Sequence, residues 1–522
     1  MKQMMKIFGL VLLTFTLSTC SDFIKLTDSG YSNQIALKKD QTFSILFSHN
    51  INGETHPCGC RKFPLGGLPQ IYGQMTEIRS QHPVIYVDTG DTFFETPIIP
   101  DYNLKSARYK AEKLAEAMDE LGLRIFVPGD QDFALGVEFL SALSQKHKFE
   151  FLMSNATNNL KIKHQKKIEI EVGKDKYVFV SLVDPSLLQP QYKNFFKPIN
   201  EEIENIVKTL NPKNKNILLS HAGFEADEKL AQKFEIFDWI IGAHTQTFLT
   251  EARTVNKTQI AQVLSRNHYL GELKFYTEDK YELLEIRDEK KDLAKPNPMV
   301  GWLDKFKTEY DEILAVEQAL LGDQIITDNR IPTYISCSQC HTKQVEFWQE
   351  TAHSVSFSTL IHAKASNNPS CVKCHSVGLN SPNGFSAKSN MVVSEVEGFD
   401  SDKYWEELGE KVKFEHPVRE LAGQKRKEII KSWIKYDQEK KITHNYGNVQ
   451  CLNCHNQDAE HPFSENTPVA ADQMQSKCLN CHSRDQSPEW YIKNEKGLAT
   501  SLDEKYFAEQ LKKVACPLDK KE

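Results

Sequence analysis

From Gln41 to about Arg287, short runs of consecutive apolar residues alternate with stretches in which apolar residues recur every three or four positions. Phe43-Ser44-Ile45-Leu46-Phe47, Val84-Ile85-Tyr86-Val87, Arg124-Ile125-Phe126-Val127 and Ile217-Leu218-Leu219 predict buried strands, and 103–121, 136–146, 200–210 and 225–234 predict amphipathic helices. The alternation is that of an α/β layered sandwich. Polar residues cluster just after those strands, where loops at the carboxyl edge of a sheet gather into one site. A charged stretch ending in Lys295-Pro296-Asn297-Pro298 marks a boundary, and the amphipathic segment 299–320 predicts a helix bridging two halves. From Ile335 onward alternating apolar runs are few, so the second half is expected to be mainly α-helical with little sheet.

The first residues carry a different pattern. Lys2 and Lys6 precede an apolar run from Ile7 to Leu17, too short to span a bilayer but of the size of a signal-peptide core, which predicts export. Leu17-Ser18-Thr19-Cys20 resembles the bacterial lipoprotein box, in which Cys20 would carry the lipid; Thr19 departs from the usual small residue, so simple cleavage with a free Cys20 stays open. The expected location is the periplasm or the outer membrane, reached as a bacterial lipoprotein.

At 522 residues the chain predicts two or three domains. Its net charge of −7 comes from 71 acidic and 64 basic residues without a long basic tract, which argues against nucleic acid as a partner.

Cysteine and histidine change the picture most. Four Cys-x-x-Cys-His motifs fall in the last third: Cys337-Cys340-His341, Cys371-Cys374-His375, Cys451-Cys454-His455 and Cys478-Cys481-His482. Paired thiols bond covalently to a porphyrin edge and the adjoining His reaches the iron, so each motif is a c-type heme attachment site. Zinc knuckles would need two Cys pairs per metal and give no reason for a His after every second Cys. Four heme c groups imply electron transfer, and they would replace much of the side-chain core of the second half. Once the eight heme thiols and Cys20 are set aside, Cys58, Cys60 and Cys516 remain of the 12 cysteines. Cys58 and Cys60 could ligate metal or cycle between dithiol and disulfide at the rim of the first-domain site; a disulfide from that loop to Cys516 is the plainer alternative.

Five blocks follow the first-domain strands: Ser48 to Gly53, Asp88-Thr89-Gly90-Asp91, Gly129 to Phe133, Ser220-His221-Ala222-Gly223 and Gly242 to Thr247. In order and spacing they resemble the metal-binding blocks of calcineurin-like metallophosphoesterases, and the 5′-nucleotidase branch most. The resemblance implies a two-metal phosphoesterase site. Where that family places the strong ligands of its first metal, this chain has Asn50, Asn52, Asp91 and Gln246, so three of the four are neutral amides. The second-metal positions hold Asp91, Asp130, His221 and His244, a set suited to one Zn²⁺, Mn²⁺ or Fe²⁺. The family's catalytic His is replaced by Gln131, which cannot protonate a leaving group. A relict scaffold, a single-metal site and a residual phosphoesterase all stay open.

The surroundings of the heme motifs, with Phe347-Trp348-Gln349-Glu350-Thr351-Ala352-His353 after the first and Gly447-Asn448-Val449-Gln450 before the third, resemble tetraheme cytochromes of the c-552/4 (cytochrome c-554) type. That resemblance implies stacked hemes, most with two His ligands. His353, His461, His444 and His416 are the distal candidates, with His362 left as a surface residue.

The organisation expected is a signal peptide at 1–20, a tether at 21–40, a metallophosphatase-like domain at 41–288, a linker with a bridging helix at 289–330, a tetraheme domain at 331–492 and a tail at 493–522. Three functions compete: an electron carrier, an oxidoreductase whose metal or Cys58/Cys60 site feeds the hemes, and a phosphoesterase with an appended cytochrome. Redox proteins or quinol-linked donors are the expected partners, with membrane contact through lipid.

Overall fold

The computed structural model describes residues 31–57, 64–276, 278–321, 330–381, 383–414, 418–455, 471–484, 486–493 and 499–517. Its N-terminal part holds two sheets. One has six strands in the order Asp279–Glu285, Tyr269–Phe275, Phe43–Ser48, Val84–Asp88, Leu123–Phe126 and Glu150–Phe151. The other has seven, ordered Gln34–Ile35, Ile168–Val172, Asp175–Val183, Lys215–His221, Trp239–Gly242, Thr258–Ala261 and Arg253–Val255. Their inner faces meet through residues such as Phe43 and Tyr177, whose rings lie edge to face 5.0 Å apart, and Phe179, Ile217 and Ile241 share the same core.

Helices cover both outer faces. Leu68–Gln81, Leu104–Glu120 and Gly136–Lys146 lie on the six-stranded sheet, burying Ile71, Leu114 and Leu140. Ile199–Lys208 and Phe224–Lys233 lie on the other, with Ile203 and Leu230 against Leu182, Leu218 and Ile240. The four expected strands and four expected helices are all among these elements, because strands buried on both faces read as unbroken apolar runs; the pattern does not single out the helix Leu68–Gln81 or the remaining strands.

Parallel register brings strand ends together. Ser48 pairs with Asp88 and Asp88 with Phe126 in one sheet; Val183 pairs with His221 and Ser220 with Gly242 in the other. The loops that follow therefore open on one edge of the sandwich.

Two expected boundaries move. Residues 31–40 are not simply a tether: Gln34–Ile35 adds a parallel strand beside Glu171 and Val172, and the Tyr31 hydroxyl donates to the Leu123 carbonyl at 2.7 Å. A two-residue strand leaves too short a pattern to be recognised. Nor is the region after 493 a free tail. Tyr491–Lys493 pairs antiparallel with Ala499–Leu502, and the helix Glu504–Val514, capped by the Asp503 side chain, sets Phe507 against Trp490 with ring centroids 5.9 Å apart.

The helix Pro298–Leu321 touches both parts. Its Glu317 carboxylate, 3% exposed, accepts the Lys105 and Ser106 backbone N–H groups at 2.8 and 3.0 Å, capping the helix Leu104–Glu120. Further back, Asp311 accepts both the backbone and the side-chain amide of Asn367, at 3.1 and 2.7 Å.

Beyond residue 330 the described chain is made of short helices and two two-stranded ribbons. It has a side-chain core of its own, centred on Phe357, Tyr404, Trp405, Trp433 and Tyr446. This corrects the expectation that porphyrins would largely replace it. Tyr404, Trp405 and Leu408 on Ser401–Lys411, and Ile429, Ile430, Trp433 and Tyr436 on Gly423–Glu439, each form one helical face, so a search for alternating runs passes over them. Among the described residues no helix is long and apolar enough to cross a membrane.

Candidate metal centre and heme attachment sites

At the open edge of the sandwich, Asp91, Asp130, His221 and His244 each present a ligand atom, all within 4.8 Å of one another. His221 Nε2 stands 3.1 Å from Asp130 Oδ1 and 3.4 Å from Asp91 Oδ1, and His244 Nδ1 lies 3.0 Å from the same Asp130 oxygen. Around one Zn²⁺ with bonds near 2.1 Å, tetrahedral ligand atoms would be about 3.4 Å apart, so these contacts fit a single ion with little movement. His221 is oriented from behind: its Nδ1 donates to the Thr89 carbonyl at 2.7 Å, turning Nε2 toward the carboxylates.

Electrostatics hold the set together without metal. Burial opposes charge on His221, but Asp91 and Asp130 outweigh it and keep the imidazole protonated well above its usual range. Burial likewise opposes charge on Asp130, and hydrogen bonds from His221 and His244 overcome it, holding the carboxyl below its ordinary value. Metal entry would displace the His221 proton.

The backbone is bent to make this site. Asn50, Asn52, Asp91, His244 and Gln246 all have positive φ, between 50° and 70°. Each such residue costs on the order of 1 kcal/mol, and clusters of them mark functional loops. Close approach is also needed: a Cβ on Gly129 would come within 2.3 Å of Asp91 Oδ1 and 2.4 Å of the His221 ring.

Asn50 has a full complement of partners. His49 Nε2 accepts the Val263 N–H at 2.8 Å, so its Nδ1 carries the proton and donates to Asn50 Oδ1 at 2.7 Å. That oxygen also accepts the His244 N–H at 3.2 Å, while the amide nitrogen donates to Asp91 Oδ2 at 3.2 Å and faces the His244 carbonyl at 3.4 Å. Asn50 thus cross-links the loops through its amide. Gln131 is near: its backbone N–H donates to Asp91 Oδ1 at 3.0 Å, and its Oε1, like Asn52 Oδ1, has no partner among the described residues. Gln246 is exposed and outside the cluster.

Two supporting residues escaped the sequence argument. Asp132, fully buried, accepts the N–H groups of Asp91, Thr92, Phe93 and Gly129, each at 2.9 Å. Asp88 accepts from Ser48, Thr92 and the Gly90 N–H. Both stood inside the quoted blocks; nothing in sequence separates a carboxylate that ligates from one that holds a loop.

The heme motifs lie on or beside short helices: Tyr334–Cys337, Pro369–His375, Cys451–Cys454 and Ala471–Leu479. Among the described residues none of the eight cysteines is in a disulfide, and all are half-buried except for exposed Cys340. Cys337 and Cys451 are in hydrogen-bond contact, and so are Cys374 and Cys481, which pairs the first motif with the third and the second with the fourth. His375 donates through Nδ1 to the Ser356 carbonyl at 2.6 Å, leaving Nε2 for iron. His482 is held through Nδ1 by Ser487 Oγ at 3.0 Å and stacks on Trp490 at 4.0 Å. His341 is half-buried and His455 is exposed. The thiols, the oriented imidazoles and the absence of disulfides among the described cysteines fit covalent heme.

Of the distal candidates, His353 lies among the motif histidines, its ring 6.5 Å from that of His482 and close enough to His375 to sense its charge. His444 is half-buried, stacked on Tyr446 at 6.2 Å. His362 is exposed and donates through Nε2 to the Val412 carbonyl, in keeping with a surface role. His416, His461, Cys20, Cys58 and Cys60 lie outside the described residues. Cys516 carries a free, exposed thiol whose charge reaches Cys451 and Cys454, so it stands beside the third motif.

Fold and sites together define a two-part chain, a metallophosphatase-like α/β sandwich followed by a segment similar to c-type cytochromes. The family described as cytochrome c554 and c-prime matches residues 336–398. The N-terminal region is similar to 5′-nucleotidase of Mus musculus, 27% identical over 250 residues covering 41% of this chain and 42% of that protein. The Homo sapiens 5′-nucleotidase is 29% identical over 205 residues, 35% of this chain and 33% of that one. The chain thus spans between a third and about two fifths of these relatives' length. A 5′-nucleotidase precursor from Thermus thermophilus superposes with a TM-score of 0.44 at 17% identity, over 62% of this chain and 67% of that one.

Proposed function

We propose that this protein is an exported tetraheme c-type cytochrome that relays electrons, fused to a metallophosphatase-like domain that holds one divalent metal and no longer hydrolyses phosphate esters. The observation that carries the reading is the four Cys-x-x-Cys-His motifs, two of them within a segment similar to cytochrome c554 and all of them arranged as two thiol pairs. Heme c supplies a reversible one-electron couple. The chain's part is to attach it through the eight cysteines, orient His375 through Ser356 and His482 through Ser487, and bring His353 within reach as a second ligand. Redox proteins or quinol-linked donors would supply electrons, and Cys20 would carry the lipid that keeps the protein at the periplasmic or outer-membrane surface.

In the first domain, Asp91, Asp130, His221 and His244 would hold one Zn²⁺, Mn²⁺ or Fe²⁺, which as a Lewis acid polarises a bound oxygen. Asn50 supports the loss of a second ion, since its amide satisfies the groups a metal would otherwise bind. Gln131 has no proton to give at ordinary pH. A second reading, in which this metal or the Cys58/Cys60 loop accepts electrons from a substrate and passes them to the hemes, is favoured by the bond between Asp311 of the bridging helix and Asn367 beside the second motif. A pyridine hemochrome assay of purified holoprotein should give four hemes per chain with negligible AMP hydrolysis in added Mn²⁺. Two hemes or fewer would remove the relay, and robust hydrolysis would restore the phosphoesterase.

A further inference from the structure

Asp437, on the helix Gly423–Glu439, is a carboxylate 2% exposed, and among the described residues no Lys, Arg or His pairs with it. Its partners are neutral. The hydroxyls of Tyr334 and Tyr404 donate to its two oxygens, and Asn445 Nδ2 donates at 3.0 and 3.2 Å. Asn445 is locked in that orientation, because its Oδ1 accepts the Gly447 N–H at 3.0 Å. The Trp433 indole N–H also favours the ionised form without closing a hydrogen bond of ordinary geometry. The remaining ionisable groups nearby face elsewhere: the Tyr436 hydroxyl bonds Glu407, Lys440 pairs with Glu407, Lys411 lies over the Tyr436 ring, and His444 stacks on Tyr446.

The cluster sits between two heme attachment points. Tyr334 is one helical turn before Cys337, and its N–H donates to Gln450 Oε1 at 2.7 Å; Gln450, next to Cys451, donates back to the Asn445 carbonyl at 2.8 Å. The Cys337 and Cys451 thiols are themselves in contact. A buried carboxylate without a cation is costly unless a positive charge stands near it or it takes a proton. Ferric heme on the first and third motifs would supply that charge, and its reduction would remove it.

We infer that Asp437 is a proton-binding site coupled to reduction of the hemes on the first and third motifs. One electron from an external donor converts Fe(III) to Fe(II), and one proton from solvent converts the Asp437 carboxylate to the acid; no other bond changes. Burial, set against the Tyr334 and Tyr404 donors, raises its carboxyl to about 6, which places the exchange in an accessible range. The inference rests on the proposed heme content, which the hemochrome assay measures separately on the same sample.

The test is potentiometric titration of four-heme holoprotein at a series of pH values from about 5 to 8. Because the reduced state binds the extra proton, the wild-type potential should fall as pH rises through the window and level off above it. D437N should keep four hemes and lose that pH dependence. Y334F and Y404F each remove a donor to the ionised form, so the window should move to higher pH, which a purely structural role would not cause. Where D437N does not retain its hemes, the Y334F and Y404F shifts decide. Reduced-minus-oxidised infrared spectra should also show a carboxylic acid band appearing on reduction and weakening in D437N. An unchanged pH dependence in D437N, or unmoved windows in Y334F and Y404F, overturns the inference while leaving the heme count intact.

Discussion

Asn50→Asp is the sharpest probe of the first domain. It places a second carboxylate oxygen where an amide nitrogen now stands 3.2 Å from Asp91 Oδ2. With both groups ionised, two unit charges at that distance repel by about 5 kcal/mol at an effective dielectric of 20. The alternative is to keep a proton on the pair, which costs about 1.4 kcal/mol for each pH unit above the ordinary carboxyl value near 4, so about 4 kcal/mol at pH 7. The cheaper course prevails at each pH. Loss of the amide's own hydrogen bonds adds about 1 kcal/mol. Against a typical domain stability of ~5–15 kcal/mol the change is large. The pair's pKa is raised in the folded state, so between the unfolded and folded values the native protein binds the extra proton and stability falls as pH rises. The penalty should therefore be smaller near pH 5, at about 2–3 kcal/mol, and near its ceiling at pH 8. The new carboxylate also adds a hard oxygen ligand beside Asp91, so Mn²⁺ should recover part of the loss. Urea unfolding of the full chain followed by far-ultraviolet circular dichroism, at both pH values, in chelator and in Mn²⁺, measures all of this. Equal stability of variant and parent at both pH values would show that Asn50 is not the cross-link between the loops.

Two further outcomes follow from the geometry. His353→Ala should convert one heme from low-spin six-coordinate to a form that binds carbon monoxide, while His362→Ala should leave the visible spectrum unchanged, because that ring is already committed to the Val412 carbonyl. Asp311→Ala removes both bonds to Asn367. At a half-buried site the loss is about 1–2 kcal/mol, and calorimetry with Soret detection should show the heme part melting earlier and apart from the sandwich.

The sequence alone carried four central strands and four helices of the first domain, since doubly buried strands and amphipathic helices leave their periods in the chain. It also carried the four heme motifs, whose chemistry is local: two thiols and an imidazole within five residues need no distant partner to be recognised. The four metal-ligand residues were named from sequence through a resemblance, but their convergence is tertiary. Asp91 and His221 come from different sheets, and only parallel register and strained loops bring them to 3.4 Å. Asp132 and Asp88 differ from ligands only in where their oxygens point. The strand Gln34–Ile35, the helix after Asp503 and the aromatic core around Trp433 were invisible for a related reason. Each is defined by what it packs against far along the chain, and local pattern records a residue's own periodicity, not the identity of its distant partner. Asp437 is the clearest case. In sequence it is one acid on a polar helix, and only the fold surrounds it with Tyr334, Tyr404 and Asn445 and leaves it without a cation among the described residues.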